Sequence, residues 1–235
     1  MQATEPGRIT PDIRAKFLAQ AQRTLADGAR GFGELAILHL SEFNGHPYES
    51  IAPDHPLLLD LADLAASRNS MIAVHMEAVE RDMASPSTLA TPPNPRTLLE
   101  NISAFQHLLA HNPGARIVWL HAGWDNTGQR TPELTRRLMG MHPNLFLTLK
   151  FQHSHFPGNA VLTPGGPNPN WMALVRDYPD RIMIGTDSFF ASSSSRVGGI
   201  FEPQPVLSLL SRLPSPLALR IGSQNADRIY NLTTR

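Results

Sequence analysis

The sequence predicts an α/β protein built on a parallel sheet, and three observations carry that prediction. Five short apolar runs start near residues 31, 71, 116, 145 and 181. Their spacing of roughly 30 to 45 residues is what right-handed strand–helix–strand units produce. Segments with helical periodicity lie between the runs. The runs themselves are near-continuously apolar rather than alternating, as expected of strands in a parallel sheet whose outer face is covered by helices. Two architectures satisfy these observations: an open doubly wound sheet, or part of a (β/α)8 barrel.

Residues 1–9 read as a disordered lead-in to a single domain spanning 1–235. A helix starts at Thr10-Pro11-Asp12, where Thr10 can cap, Pro11 suits the first helical position and Asp12 suits the positive end of the helix. Ile13, Phe17, Ala21 and Leu25 recur at helical spacing, and Gly28 ends the pattern. GFGELAIL (31–38) is the first strand. DHPLLLDLADLAASR (54–68) is an amphipathic helix capped by Asp54 or His55, followed by the strand MIAVH (71–75). The alternation continues through a helix at 95–112, RIVWLH (116–121), a helix at 131–142 opened by Thr131 and Pro132, and LFLTLK (145–150). It closes with a helix at 168–178, RIMIGTD (181–187), and two helical segments near 204–213 and 223–231. The glycines of GFGELA precede or sit within a strand rather than opening a helix, so no dinucleotide loop is indicated.

Twenty acidic residues balance twenty basic ones, so bulk charge points neither to nucleic acid nor to an anionic membrane. No stretch approaches the roughly 20 apolar residues that span a bilayer. The chain has no cysteine, which excludes disulfides, zinc–thiolate sites and cysteine nucleophiles. Any metal must then be held by His, Asp, Glu or a modified Lys.

The chemistry concentrates at the strand ends. The first strand carries Glu34, and the others end at His75, His121, Lys150 and Asp187. In a parallel sheet these ends lie on one side, and in a barrel they converge on the mouth where active sites sit. Singly, each residue has a plain structural explanation: a solvated strand end for either histidine, a paired carboxylate for Glu34, a snorkelling chain for Lys150 and a loop cap for Asp187. Together, two imidazoles and a carboxylate at equivalent positions match the donors preferred by Zn²⁺, Mn²⁺ or Fe²⁺.

MIAVHME, IVWLHAGW and RIMIGTDSFF, in this order, resemble the late strands of the amidohydrolase superfamily, in particular its amidohydrolase family 2 branch. IGSQNADRIYNL (221–232) resembles the C-terminal helix of that branch, with its Asn-Ala-x-Arg core. The resemblance implies a TIM barrel of which strands four to eight are visible, and a divalent metal cofactor, zinc first, with manganese or iron as alternatives. It makes His75 a metal ligand and His121 a ligand or a catalytic group that polarises the substrate. It makes Asp187 both ligand and catalytic base, and Glu34 a carboxylate bridging metals. The implied reaction is hydrolysis of an amide, ester or lactone bond in a small molecule through a metal-activated water. A non-oxidative decarboxylase of the same superfamily is the alternative enzyme, and an inactive barrel remnant or interaction domain is the alternative that is not one.

The superfamily's first strand supplies His-x-His, and no such pair precedes Glu34, the first histidine being His39. The expectation is therefore a barrel lacking its first three strands, with two exposed sheet edges, a homo-oligomer allowed and the metal geometry loosened. His153 and His155 have the spacing but follow the seventh strand, and are read as loop residues. Localisation stays open: the cytoplasm is the default, and a signal upstream would mean export. The loops after the strands should set specificity, with Trp124, Asp125, Arg130 and Lys150 as candidate substrate contacts, Phe189 as an apolar one and the Pro-rich 75–95 connection as either a lid or a surface loop.

Overall fold

The computed structural model describes residues 5–43, 45–89, 92–151, 155–187 and 203–232. The strands are β1 (Gly31–His39), β2 (Glu49–Ser50), β3 (Met71–Met76), β4 (Met83–Ala84), β5 (Thr97–Leu98), β6 (Arg116–Ala122), β7 (Leu145–Leu149), β8 (Leu162–Thr163), β9 (Gly166–Pro167) and β10 (Ile182–Ile184). The helices are α1 (Pro11–Ala26), α2 (Pro56–Ser67), α3 (Ile102–His111), α4 (Pro132–Met141), α5 (Pro169–Asp177), α6 (Pro203–Leu210), α7 (Ser215–Leu219) and α8 (Asn225–Ile229). The N-terminal signals at Thr10, His55 and Thr131 act as read, and Asn168 does the same: each side chain accepts a bond from a backbone N–H in the first turn, with proline just inside the helix.

Six strands form one sheet in the order β10-β7-β6-β3-β1-β2, parallel throughout except for the antiparallel β1–β2 pair. Each successive long strand adds to the same growing edge. A doubly wound sheet reverses that order at a switch point; this one does not, so its strands run as the consecutive wall of a barrel does. Among the described residues the wall does not close. β2 pairs only with Leu38 and His39, and Gly31 to Ala36 of β1 have no strand on their outer side.

The outer face of the wall is a continuous core. Ile72, Val74, Ile117, Trp119, Leu145 and Leu147 pack beneath Leu58 and Leu61 of α2, Phe105 and Leu108 of α3, Leu138 of α4 and Trp171 of α5. The inner face, Met71, Ala73, Val118, Leu120, Phe146 and Met183, is covered by Ile229 of α8 with Ala226 and Tyr230 beside it. Asn225 fixes that helix to the sheet edge by donating to the carbonyls of Pro179 and Ile182.

Several boundaries differ from the sequence reading, among them the last helical segment, which was expected near 223–231 and instead starts at Ser215 and runs unbroken to Ile229. The helix expected over 95–112 begins only at Ile102, because Thr97–Leu98 pairs with Met83–Ala84 and Asn101 spends its side chain on the Val79 N–H and the Glu77 carbonyl. The last strand stops at Ile184 instead of running to Asp187. In the lead-in, Pro6–Arg8 forms a short 3-10 turn, and residues 1–4 lie outside the described residues. Among its described residues, the 75–95 connection is held by the β4–β5 pair and by Asn94, whose side chain bonds Ser41 and the Leu89 carbonyl. FFASSSSRVGG (189–199), with Phe189, and His153 lie outside the described residues. No helix among the described residues is long and apolar enough to cross a membrane.

If α8 is the plug of the inner face, Ile229→Ala, at a fully buried position, should cost about 2–5 kcal/mol in urea unfolding. Leu232→Ala, at a position 47% exposed three residues on, should stay within about 0.5 kcal/mol.

Candidate metal centre

Three strands deliver the site. Glu34 comes from β1, His75 from β3 and His121 from β6, and β3 pairs with both of the others. Gly33 allows β1 to sit close: a Cβ there would stand 2.7 Å from the Ala73 Cβ. His75 shares the inner-face parity of Met71 and Ala73. His121 does not arrive by parity, since regular continuation would place it with Ile117 and Trp119 on the helix-covered side. Its backbone instead adopts a left-handed conformation, φ 64°, which breaks the alternation and brings its ring to 4.9 Å from that of His75. Such a conformation costs a non-glycine residue about 1–3 kcal/mol and persists only when neighbours hold it.

The neighbours are visible. The His121 N–H donates to Thr148 Oγ1 at 3.1 Å, and its carbonyl accepts from the Trp124 N–H at 3.0 Å. Thr148 has room because residue 185 is glycine; a Cβ there would lie 2.8 Å from the Thr148 Cβ. Gly123, φ 91°, completes the turn where a side chain would strike Val161. Asp187 also has a left-handed backbone, φ 50°.

Glu34 Oε1 is the hub. It accepts from His75 Nδ1 at 2.7 Å and from His121 Nε2 at 3.2 Å. One donor atom from each of the three residues lies within 4.8 Å of the others. Two imidazole nitrogens and a carboxylate oxygen form a donor set that suits zinc or a similar borderline divalent ion, and three protein ligands are the number that catalytic zinc sites use. The residues present therefore fit a metal without His-x-His.

The charges are unequal. Burial pulls the His75 pKa down, but hydrogen bonds to Glu34 and Glu77 outweigh it and the value is raised to about 9. Burial raises that of Glu34, but the bonds from His121 and His75 dominate and hold its carboxyl well below the usual carboxylate range. For His121 burial prevails over the bond to Glu34, and its pKa is lowered. Without an ion, His75 is thus the cation and His121 the neutral ring.

The other expected residues divide. Asp187 Oδ2 is ion-paired with Lys150 Nζ at 2.6 Å, and Lys150 also sits 3.4 Å over the Trp124 ring. Lys150, Trp124 and Asp187 thus form a second group, near enough for Asp187 and Lys150 to act on the charge of His121. Asp187 is outside the three-residue donor set found among the described residues. Asp125 and Arg130 are turned inward. The Asp125 carboxylate accepts from the N–H groups of Thr127 and Gly128 and from Asn159 Nδ2, holding its own loop. Arg130, 1% exposed, lies over the Trp119 ring and donates to the Leu120 carbonyl.

Two residues that the sequence reading passed over stand beside the cluster. His39 packs its ring 4.7 Å from that of His75 and donates from Nδ1 to the Pro47 carbonyl. Glu77, 1% exposed, lies 3.5 Å from His75 Nε2. The HME of MIAVHME was the only signal for Glu77. His155, read as a loop residue, bonds Asn126 Oδ1 through Nδ1 at 2.7 Å.

Two expectations follow. Thr148→Val removes the acceptor for the buried His121 N–H at unchanged shape and should lower stability by about 1–3 kcal/mol in chemical unfolding. The second concerns pH. His75 has a folded pKa above its ordinary 6.5, so its contribution is complete below about 6.5 and is lost as pH rises through about 9. Glu34, held low, contributes above its ordinary 4.5 and loses that contribution on acidification. In chelator, the melting temperature should therefore fall between pH 7 and 9.5, and His75→Gln should flatten that slope.

No protein-family model matches the chain, and no curated protein matches it by sequence. Solved structures do match by fold. A TIM-barrel protein of Bordetella bronchiseptica superposes with a TM-score of 0.53 at 16% identity, covering 93% of this chain and 63% of that one. Aminofutalosine deaminase of Helicobacter pylori superposes with a TM-score of 0.50 at 12% identity, covering 94% of this chain and 52% of that one. The chain thus spans between half and two thirds of the length of these structures. At such identities the likeness is one of fold, and that fold is the α/β wall of a TIM barrel.

Proposed function

We propose that residues 1–235 act as one domain of the amidohydrolase type, a metal-dependent hydrolase centre for an amide, ester or lactone bond in a small molecule. The observation that carries this reading is the meeting of Glu34, His75 and His121 within 4.8 Å at the C-terminal end of a barrel wall, where (β/α)8 enzymes keep their chemistry. The motif resemblance supports it, since its four implied ligands, His75, His121, Asp187 and Glu34, include all three of these residues. Zinc is the ion of choice on donor type, with manganese and iron as alternatives.

Glu34, His75 and His121 would hold the ion, which supplies Lewis acidity and a bound water that ionises near neutral pH. The chain's own groups do the rest. Asp187, whose Oδ2 is held by Lys150, would be the carboxylate that takes a proton from the attacking water and returns it to the leaving group. Lys150 holds that carboxylate in place and carries a positive charge toward substrate, and the Trp124 ring beneath it offers an apolar wall. Asp125 and Arg130 shape the loop between Gly123 and Thr131 and leave substrate contact to Trp124 and Lys150.

The test is metal content followed by turnover. After chelation and reloading with zinc, the wild type should retain about one ion per chain, and the His75→Ala, His121→Ala double variant less than about 0.1. Equal retention by both, or no retention by the wild type, would sink the reading. On a panel of esters, lactones and amides, the zinc-loaded chain should release carboxylic acid, and Asp187→Asn should lower kcat by about 100-fold or more. Release of carbon dioxide from a carboxylated substrate would assign the decarboxylase chemistry instead.

A further inference from the structure

Glu77 has no role in the scheme above, yet it is a carboxylate sealed inside the protein. It follows His75 by two residues, and its N–H donates to the Leu38 carbonyl just beyond the paired length of β3. Its Oε1 accepts from Asn126 Nδ2 at 2.8 Å and lies 3.5 Å from His75 Nε2. Its Oε2 is buried and has no hydrogen-bond partner among the described residues. A buried carboxylate oxygen without a partner is costly, and each such group calls for an explanation.

The same carboxylate stands on the far side of the His75 imidazole from Glu34. His75 turns Nδ1 toward Glu34 and the other prospective ligands, so a neutral, coordinating ring must carry its proton on Nε2. The atom facing that proton is Glu77 Oε1, 3.5 Å from Nε2. Asn126 extends the connection: its Nδ2 also donates to Glu42 Oε1 at 3.0 Å, and its Oδ1 pairs with His155 Nδ1. Loops following β1, β3, β6 and β7 are thereby joined through one amide.

We propose that Glu77 is a positioning residue of the metal centre. It accepts the Nε2–H of His75, fixes the tautomer that offers Nδ1 to the ion, and links the ring through Asn126 to the surrounding loops. The proposal rests on the reading of Glu34, His75 and His121 as metal ligands. The competing role for Glu77 is purely structural, to balance the buried charge of Arg130, which acts on it across the core.

The test compares wild type, Glu77→Gln, and the Glu77→Gln, Arg130→Met double variant, each as the full chain. Zinc affinity is read by competition with a chromophoric chelator, and the His75 ring nitrogens by long-range 15N–1H correlation of the zinc-loaded protein. A positioning role predicts an affinity about 10–100-fold lower in Glu77→Gln, with changed His75 ring nitrogen shifts and no recovery in the double variant. Glu77→Asp, which keeps the charge and draws it back by one methylene, should fall between the two, and it carries the test if Glu77→Gln does not fold. Affinity within twofold of wild type in Glu77→Gln, or recovery on adding Arg130→Met, would overturn the positioning role while leaving the metal site intact. A wild type that takes up no zinc would overturn both.

Discussion

A single carboxylate oxygen, Glu34 Oε1, bridges two imidazoles that reach it from two other strands. The bridge sets the demands on the surrounding structure. β1, β3 and β6 must lie side by side and parallel so that their ends meet. The β1–β3 pair must close up around Gly33. The histidine of β6 must leave its strand in the wrong conformation for an L residue, and Thr148 of β7 and Gly185 just after β10 make that possible. The outer core under α2 to α5 supplies the rigidity that keeps such a conformation in place.

The fold was largely legible because its signals are local. Apolar runs, a capping threonine before a proline and the alternation of periods are written within a few residues of where they act. His75 and His121 were legible for the same reason, since strand ends are found by counting, and Glu34 as a charged residue inside an otherwise apolar strand. What escaped reading depends on direction. Asp125 and Arg130 stand in a polar loop and looked like substrate contacts, but a carboxylate can fold back onto N–H groups two and three residues ahead, and a guanidinium can lie on a tryptophan. Glu77 read as the start of a loop because burial of a charge depends on partners such as Asn126 and Arg130, about 50 residues away in the chain. The late start of α3 has the same origin, since Asn101 answers to Val79 and Glu77 rather than to its own helix.

The arrangement has two layers with different work. Glu34, His75 and His121 face one another and define where an ion would sit. Lys150, Asp187 and Trp124 form a neighbouring group in which the cation is shared between a carboxylate and an aromatic face. Electrostatically the groups are coupled, since the charges of Lys150 and Asp187 act in opposite senses on His121. In the proposed chemistry the first group holds, and the second moves protons and meets substrate.

The plug of the inner face bears on how the chain is made. A parallel sheet that grows at one edge in chain order can assemble strand by strand as each strand–helix unit appears. Its inner face cannot be finished that way, because Ile229 and Tyr230 follow every strand of the sheet, and Asn231 reaches back 162 residues to the Asn69 carbonyl at the foot of β3. Until α8 is made, Ala73, Val118, Leu120 and Phe146 therefore form an apolar wall without that cover, and the closing contacts carry a large loop entropy. The interval before α8 docks is the window in which a nascent chain is most exposed to chaperones and to its own copies.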